Sequence, residues 1–145
     1  MKPFSLQPIL ELMQSRADEA TRRLANLITN EKDAKSKFQM LQEYRNEYAS
    51  RFLQAAQNGV SQREWHNYQE FLCRLDEAID QQGKNVGLQE RNTIAGQTHW
   101  QQQRIKLKAF DTLSQRHKAN ELGQEVRREQ KIQDEFASRK KDDKD

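Results

Sequence analysis

Asn58-Gly59-Val60-Ser61-Gln62-Arg63-Glu64-Trp65 sets the architecture of this chain. Asn58-Gly59 comes after a long run without Gly or Pro, and an Asn-Gly pair there is a natural left-handed stop for a helix. Ser61 and Glu64 have capping-box spacing, the hydroxyl accepting from the Glu64 N–H and the carboxylate accepting from the Ser61 N–H. Val60 and Trp65 stand where a hydrophobic staple needs them. One helix ends and another begins within a few residues, so the chain turns back on itself.

Upstream, the two prolines, Pro3 and Pro8, precede or lie within a first helical turn that Ser5 can cap. From there to Gln57 the chain is dominated by Ala, Leu, Glu, Gln, Lys and Arg, all good helix formers. Helix 1 is expected over about 5–57, a turn at 58–60 and helix 2 over about 61–138. Gly83, Gly87, Gly96 and Gly123 weaken helix 2 locally, each by about 1 kcal/mol relative to Ala. The apolar-free end, 139–145, is expected to be a disordered charged tail, which leaves 1–138 as a single coiled-coil domain.

Helix 1 carries an unbroken heptad: Leu6, Leu10, Met13, Ala17, Ala20, Leu24, Leu27, Glu31, Ala34, Phe38, Leu41, Arg45, Tyr48, Phe52 and Ala55. In helix 2 it resumes at Trp65, Tyr68, Leu72, Leu75, Ile79, Gln82, Val86, Gln89, Thr93, Gly96, Trp100, Gln103, Leu107 and Phe110. Folding at Gly59 makes residues whose numbers sum to about 120 into neighbours. Leu10 then meets Phe110, Met13 meets Leu107 and Leu41 meets Ile79. Large faces small at Trp100 with Ala20, Trp65 with Ala55 and Leu24 with Gly96. The fold class is therefore all-α: a long antiparallel two-helix coiled-coil hairpin with a C-terminal helical overhang. At 1.5 Å per residue helix 1 is roughly 75–80 Å long and helix 2 roughly 115 Å, so the last 20–25 or so residues of helix 2 lack a partner. That overhang still carries Leu122, Val126, Ile132 and Phe136, a stripe that needs covering.

One flank of the hairpin is unusual. The g positions of both helices share a side, and flanks normally carry charge. Here Tyr44, Phe71 and Ala78 stand on it, with Leu41, Tyr48 and Leu75 beside them at the seam. An apolar, aromatic edge on a thin helical pair is a candidate partner surface.

Composition excludes most alternatives. Of 145 residues only 34% are hydrophobic and 32% charged, with mean hydropathy -1.18, too lean for a three-layer core. Five glycines and two prolines do not furnish a loop-rich or all-β chain. The longest apolar run, Phe71-Leu72-Cys73, cannot span a bilayer, and the N-terminus lacks a signal-peptide core. The +3 net charge comes from 25 basic and 22 acidic residues that interleave, a solvated helix surface more than a phosphate-binding stripe. Arg127, Arg128 and the 139–141 cluster leave a nucleic-acid-binding coiled coil as an alternative, tested by salt-dependent DNA binding. A lone Cys73 allows no internal disulfide and suits a reducing compartment. His66, His99 and His117 lack metal-ligand spacing, and no Gly-rich phosphate loop occurs. Neither enzyme nor cofactor site is expected.

Three segments, Met40-Leu41-Gln42-Glu43-Tyr44-Arg45-Asn46-Glu47-Tyr48, Trp65-His66-Asn67-Tyr68-Gln69-Glu70-Phe71-Leu72 and Gln130-Lys131-Ile132-Gln133-Asp134-Glu135-Phe136-Ala137, resemble the flagellar type III export family FliJ in order and spacing. The resemblance implies a cytoplasmic coiled coil like the central stalk of rotary ATP synthases. It implies insertion into the ring of the export ATPase FliI with promotion of its hexamer, contact with the export gate FlhA, and handling of emptied export chaperones. It implies a location at the inner membrane only through those partners, and no nucleic-acid ligand. The family's gate contacts fall on Leu41, Tyr44, Tyr48, Phe71, Leu75 and Ala78, the same apolar flank, with Lys37 and Gln82 departing from the family's residues at its edges. The ring or chaperone end falls on the paired termini, including Leu122, Val126, Ile132 and Phe136. An equivalent stalk of a virulence type III system is the alternative within this class.

Overall fold

The computed structural model describes residues 5–142, and they form two helices, α1 (Gln7–Ala56) and α2 (Gln62–Asp142), packed antiparallel as a coiled-coil hairpin without strands among the described residues. The start of α1 is set locally. The Ser5 hydroxyl accepts from the Gln7 N–H at 3.2 Å, and Pro8 occupies the first turn, where no N–H is needed. The Gly59 N–H closes the end of α1 on the Ala56 carbonyl at 2.9 Å, with Gly59 at φ 89°, a conformation that costs a residue with a Cβ. At the start of α2 the Glu64 N–H donates to Ser61 Oγ at 3.1 Å; among the described residues only this first bond of the capping box forms.

The chain divides into two compact units, residues 19–101 and residues 1–18 with 102–145. In the first, the heptad positions of α1 from Ala20 to Phe52 and of α2 from Tyr68 to Trp100 are buried or half-buried, as the spacing predicts. In the second, Leu6, Leu10, Met13 and Ala17 face Gln103, Leu107 and Phe110, and the pattern runs on to Ser114 and His117. No described side chain is completely buried. A fully buried Leu or Phe contributes about 1.5–3 kcal/mol, so stability here comes from many partial burials in a row.

Gaps are filled across the seam. A Cβ at Gly96 would collide with Cδ1 of Leu27, and one at Gly83 would lie 3.3 Å from the Phe38 ring. Leu27, not Leu24, is thus the residue seated closest over Gly96. Trp100 keeps its indole edge toward water and donates to Thr21 Oγ1 at 3.0 Å. The two charged seam positions of α1 are also matched. Arg45 Nε bonds Asp76 Oδ1 at 2.6 Å, and Glu31 lies 3.7 Å from Lys35 Nζ.

Two expectations need correction. Ala55 and Trp65 are both exposed and do not face each other as a large-small pair in the seam: Phe52 stacks on Tyr68 at that level, and Trp65 lies tilted against their outer edge. Helix 2, expected to be weakened only locally at Gly83, Gly87, Gly96 and Gly123, runs on through all four. It also passes the expected end at 138: Arg139, Lys140 and Lys141 form its last turn, where cations complement the helix dipole, and the helix ends at Asp142. The rest of the expected disordered tail, 143–145, lies outside the described residues.

Candidate functional site

The aromatic flank lies in the unit 19–101, where α1 and α2 leave the turn. Successive levels carry Phe52 with Trp65 and Tyr68, then Tyr48 with Tyr68 and Phe71, then Tyr44 with Phe71. Phe52 and Tyr68 lie flat together, centroids 3.8 Å apart and planes 5° from parallel. Tyr48 tilts onto Phe71 at 4.6 Å, and Tyr44 meets the edge of Phe71 at 6.5 Å and 80°. From Tyr68 through Tyr48 and Phe71 to Tyr44 the rings move from the seam to the surface, while Trp65 at the turn end is 43% exposed. Tyr68 is 8% exposed, whereas Tyr44 is 50% exposed.

The six residues expected on this surface do not contribute alike. Tyr44 stands in solvent, while Leu41, Tyr48, Phe71 and Ala78 are half-buried, each offering one side. Leu75 is buried and serves as the floor. Of the two edge positions, Lys37 is exposed, but Gln82 is turned inward, its amide donating to the Ala34 carbonyl at 3.0 Å. A groove of about 330 Å³ runs beside Tyr48 and Phe71 and is walled by Asn67, Glu70 and Arg74. Arg74 is held by Glu70 at 2.8 Å, giving the apolar edge a polar rim. Heptad spacing does not single out Asn67, Glu70 and Arg74, because they occupy outward positions. The i,i+4 spacing of Glu70 and Arg74 is the one sequence signal that could have found them.

Beside the flank, the Arg45 guanidinium is pushed above its already high range by the hydrogen bond and charge of Asp76. An apolar surface with fixed aromatic rings and a mixed-charge rim can bind another protein; it holds nothing that activates a nucleophile or moves a proton. Among the described residues no cluster of His, Cys, Asp or Glu has metal-site geometry, and Cys73 is exposed and free. No helix in that range is long and apolar enough to cross a membrane.

The second expected surface lies in the other unit. Leu122, Val126, Ile132 and Phe136 are 64%, 55%, 65% and 66% exposed. They project from the part of α2 beyond His117, where every residue from Lys118 to Lys141 is exposed.

The family model described as Flagellar FliJ protein matches residues 1–143. The flagellar FliJ protein of Salmonella typhi is 31% identical over 135 residues, covering 93% of this chain and 92% of that protein. That of Escherichia coli K12 is 28% identical over the same shares of both chains, and that of Buchnera aphidicola is 23% identical over 81% of this chain and 77% of its own.

Proposed function

Because the chain belongs to the flagellar FliJ family, a family of non-enzymatic flagellar export components, we propose that it acts as a stalk and adaptor of the type III export apparatus. In this reading the helical pair inserts into the ring of the export ATPase FliI and favours its hexamer. The aromatic flank contacts the export gate FlhA, and export chaperones released from their cargo dock on the same protein. The work is mechanical and steric. The coiled coil contributes contacts to its partners without any chemical step of its own, and it meets the inner membrane only through those partners.

The observation that carries the gate assignment is the graded exposure of the ring series from Tyr68 to Tyr44. Rings needed only for the hairpin would be covered; Tyr44 leaves half its surface in water while its neighbour Phe71 holds it in place. Rigid aromatic anchors of this kind lose little entropy when a partner covers them. The overhang bearing Leu122, Val126, Ile132 and Phe136 is assigned to the ring or chaperone end.

The test has two arms. Titrating the FlhA cytoplasmic domain with a Tyr44→Ala, Phe71→Ala double variant is expected to weaken binding at least about tenfold, the effect of losing one aromatic anchor, with helicity unchanged. Unchanged affinity removes the gate assignment. Hexamer formation and turnover of the export ATPase, measured with and without the protein, test the stalk role; no effect on either rejects it.

A further inference from the structure

The stripe on the overhang is not a continuation of the hairpin seam. Carried on past Ser114 and His117, the seam spacing would reach Glu121, Gln124, Arg128, Lys131 and Glu135, all polar. Four apolar residues, Ala119, Leu122, Val126 and Phe136, instead share a second heptad whose middle positions are Glu129 and Gln133, with Ile132 on its flank. Leu122 is one residue beyond Glu121, so this stripe is rotated by about 100° from the seam. A longer α1 could not cover it. It is addressed to a different helix.

We infer that this helix is the same segment of a second copy, running antiparallel, so that the free protein pairs through its overhang into a two-fold dimer. In antiparallel coiled coils an a position of one helix faces a d position of the other, and one register pairs the stripe from Leu122 to Phe136. Val126 faces Phe136 of the second copy, and Glu129 faces Gln133, an acceptor opposite a donor. Leu122 lies under the aliphatic stem of Lys140, whose ammonium reaches water. On one flank Ile132 meets its own copy at the two-fold axis, and Glu125 faces Arg139 twice, with opposite charge. The other flank carries Gly123, Gln130 and Ala137, small or neutral, so the backbones can approach. The remaining charges, among them Arg127, Arg128, Lys131, Asp134 and Glu135, all point outward. A stripe meant for an unrelated surface has no reason to complement itself this way.

The same stripe serves the ring or chaperones under the proposed function, but self-pairing is independent of that reading, since it is measured on the isolated protein. The contact is short, below the roughly 1,200 Å² of a standard interface, so association is weak and reversible. Such a dimer keeps the stripe covered until a stronger partner displaces the second copy.

Sedimentation equilibrium of the full chain up to several hundred micromolar is expected to show a concentration-dependent dimer. Val126→Asp with Phe136→Asp returns it to monomer, with hairpin helicity retained by circular dichroism. Glu125→Arg or Arg139→Glu alone weakens the dimer about tenfold, and the two together restore it. In a Cys73→Ser background, Ile132→Cys cross-links to itself with a short bismaleimide much faster than Lys131→Cys, one position away on the outer face. A monomer at every concentration, no restoration by the double charge reversal, or equal cross-linking at 131 and 132 overturns the inference.

Discussion

The side-chain amide of Gln82 reaches across the seam and donates to the backbone carbonyl of Ala34 at 3.0 Å, both residues being buried. It is one of several polar contacts across the seam, with Thr93 Oγ1 donating to the Leu27 carbonyl at 3.3 Å, and stands one turn from Ala78 and two turns from Leu75. A buried amide without such an acceptor would carry unpaired donors, so the bond offsets the cost of placing Gln82 in the seam. Gln82→Ala removes the bond and leaves space, and is expected to cost about 1–2 kcal/mol. Gln82→Leu keeps the volume and frees no new polar group, so its stability stays within about 1 kcal/mol of wild type. Thermal unfolding monitored by circular dichroism separates the two outcomes.

The glycines at the turn and on the overhang respond with opposite signs. Gly59 has open space around a would-be Cβ, so the whole cost of Gly59→Ala lies in its φ of 89°, about 1–2 kcal/mol. Gly123 is helical and equally open, and Gly123→Ala gains up to about 1 kcal/mol of local helix stability. Chemical denaturation reads the first. Amide hydrogen exchange over 118–142 reads the second, as slower exchange in the variant.

The aromatic series divides into rings that hold the hairpin and a ring that is offered to a partner. Phe52→Ala or Tyr68→Ala breaks the 3.8 Å stack inside the seam and is expected to cost about 2–4 kcal/mol. Tyr44→Ala, at a half-exposed position, costs less than about 1 kcal/mol. Denaturation midpoints of the three variants check this ordering, and comparable losses at all three positions contradict it.

The Arg45–Asp76 pair is short, at 2.6 Å, but sits at the edge of the seam with both side chains reaching solvent. Its coupling in a double-mutant cycle is expected to be small and to vanish in about 1 M salt, where charges are screened beyond ~3 Å. The Arg45 pKa is raised by the Asp76 hydrogen bond, so its contribution is complete below the ordinary arginine range and is lost only as pH climbs through the raised value. Through neutral and mildly alkaline pH, melting curves should show no step that disappears in Arg45→Leu.

Much of this molecule is written in local periodicity. The stop at Gly59, the cap at Ser61, the two heptads and the side on which Tyr44 and Phe71 stand depend only on spacing along one helix, because 3.5-residue repeats set which face turns inward whatever lies opposite. Neighbours across the seam are a different matter. Phe52 stacks on Tyr68 and leaves Ala55 uncovered, Leu27 comes nearer to Gly96 than Leu24 does, and the Gln82 amide finds the Ala34 carbonyl; each of these is a property of the packed pair alone. Two helices distant in sequence choose these rotamers jointly, filling each gap with whichever side chain reaches it at least strain, and no count along a single helix contains that choice.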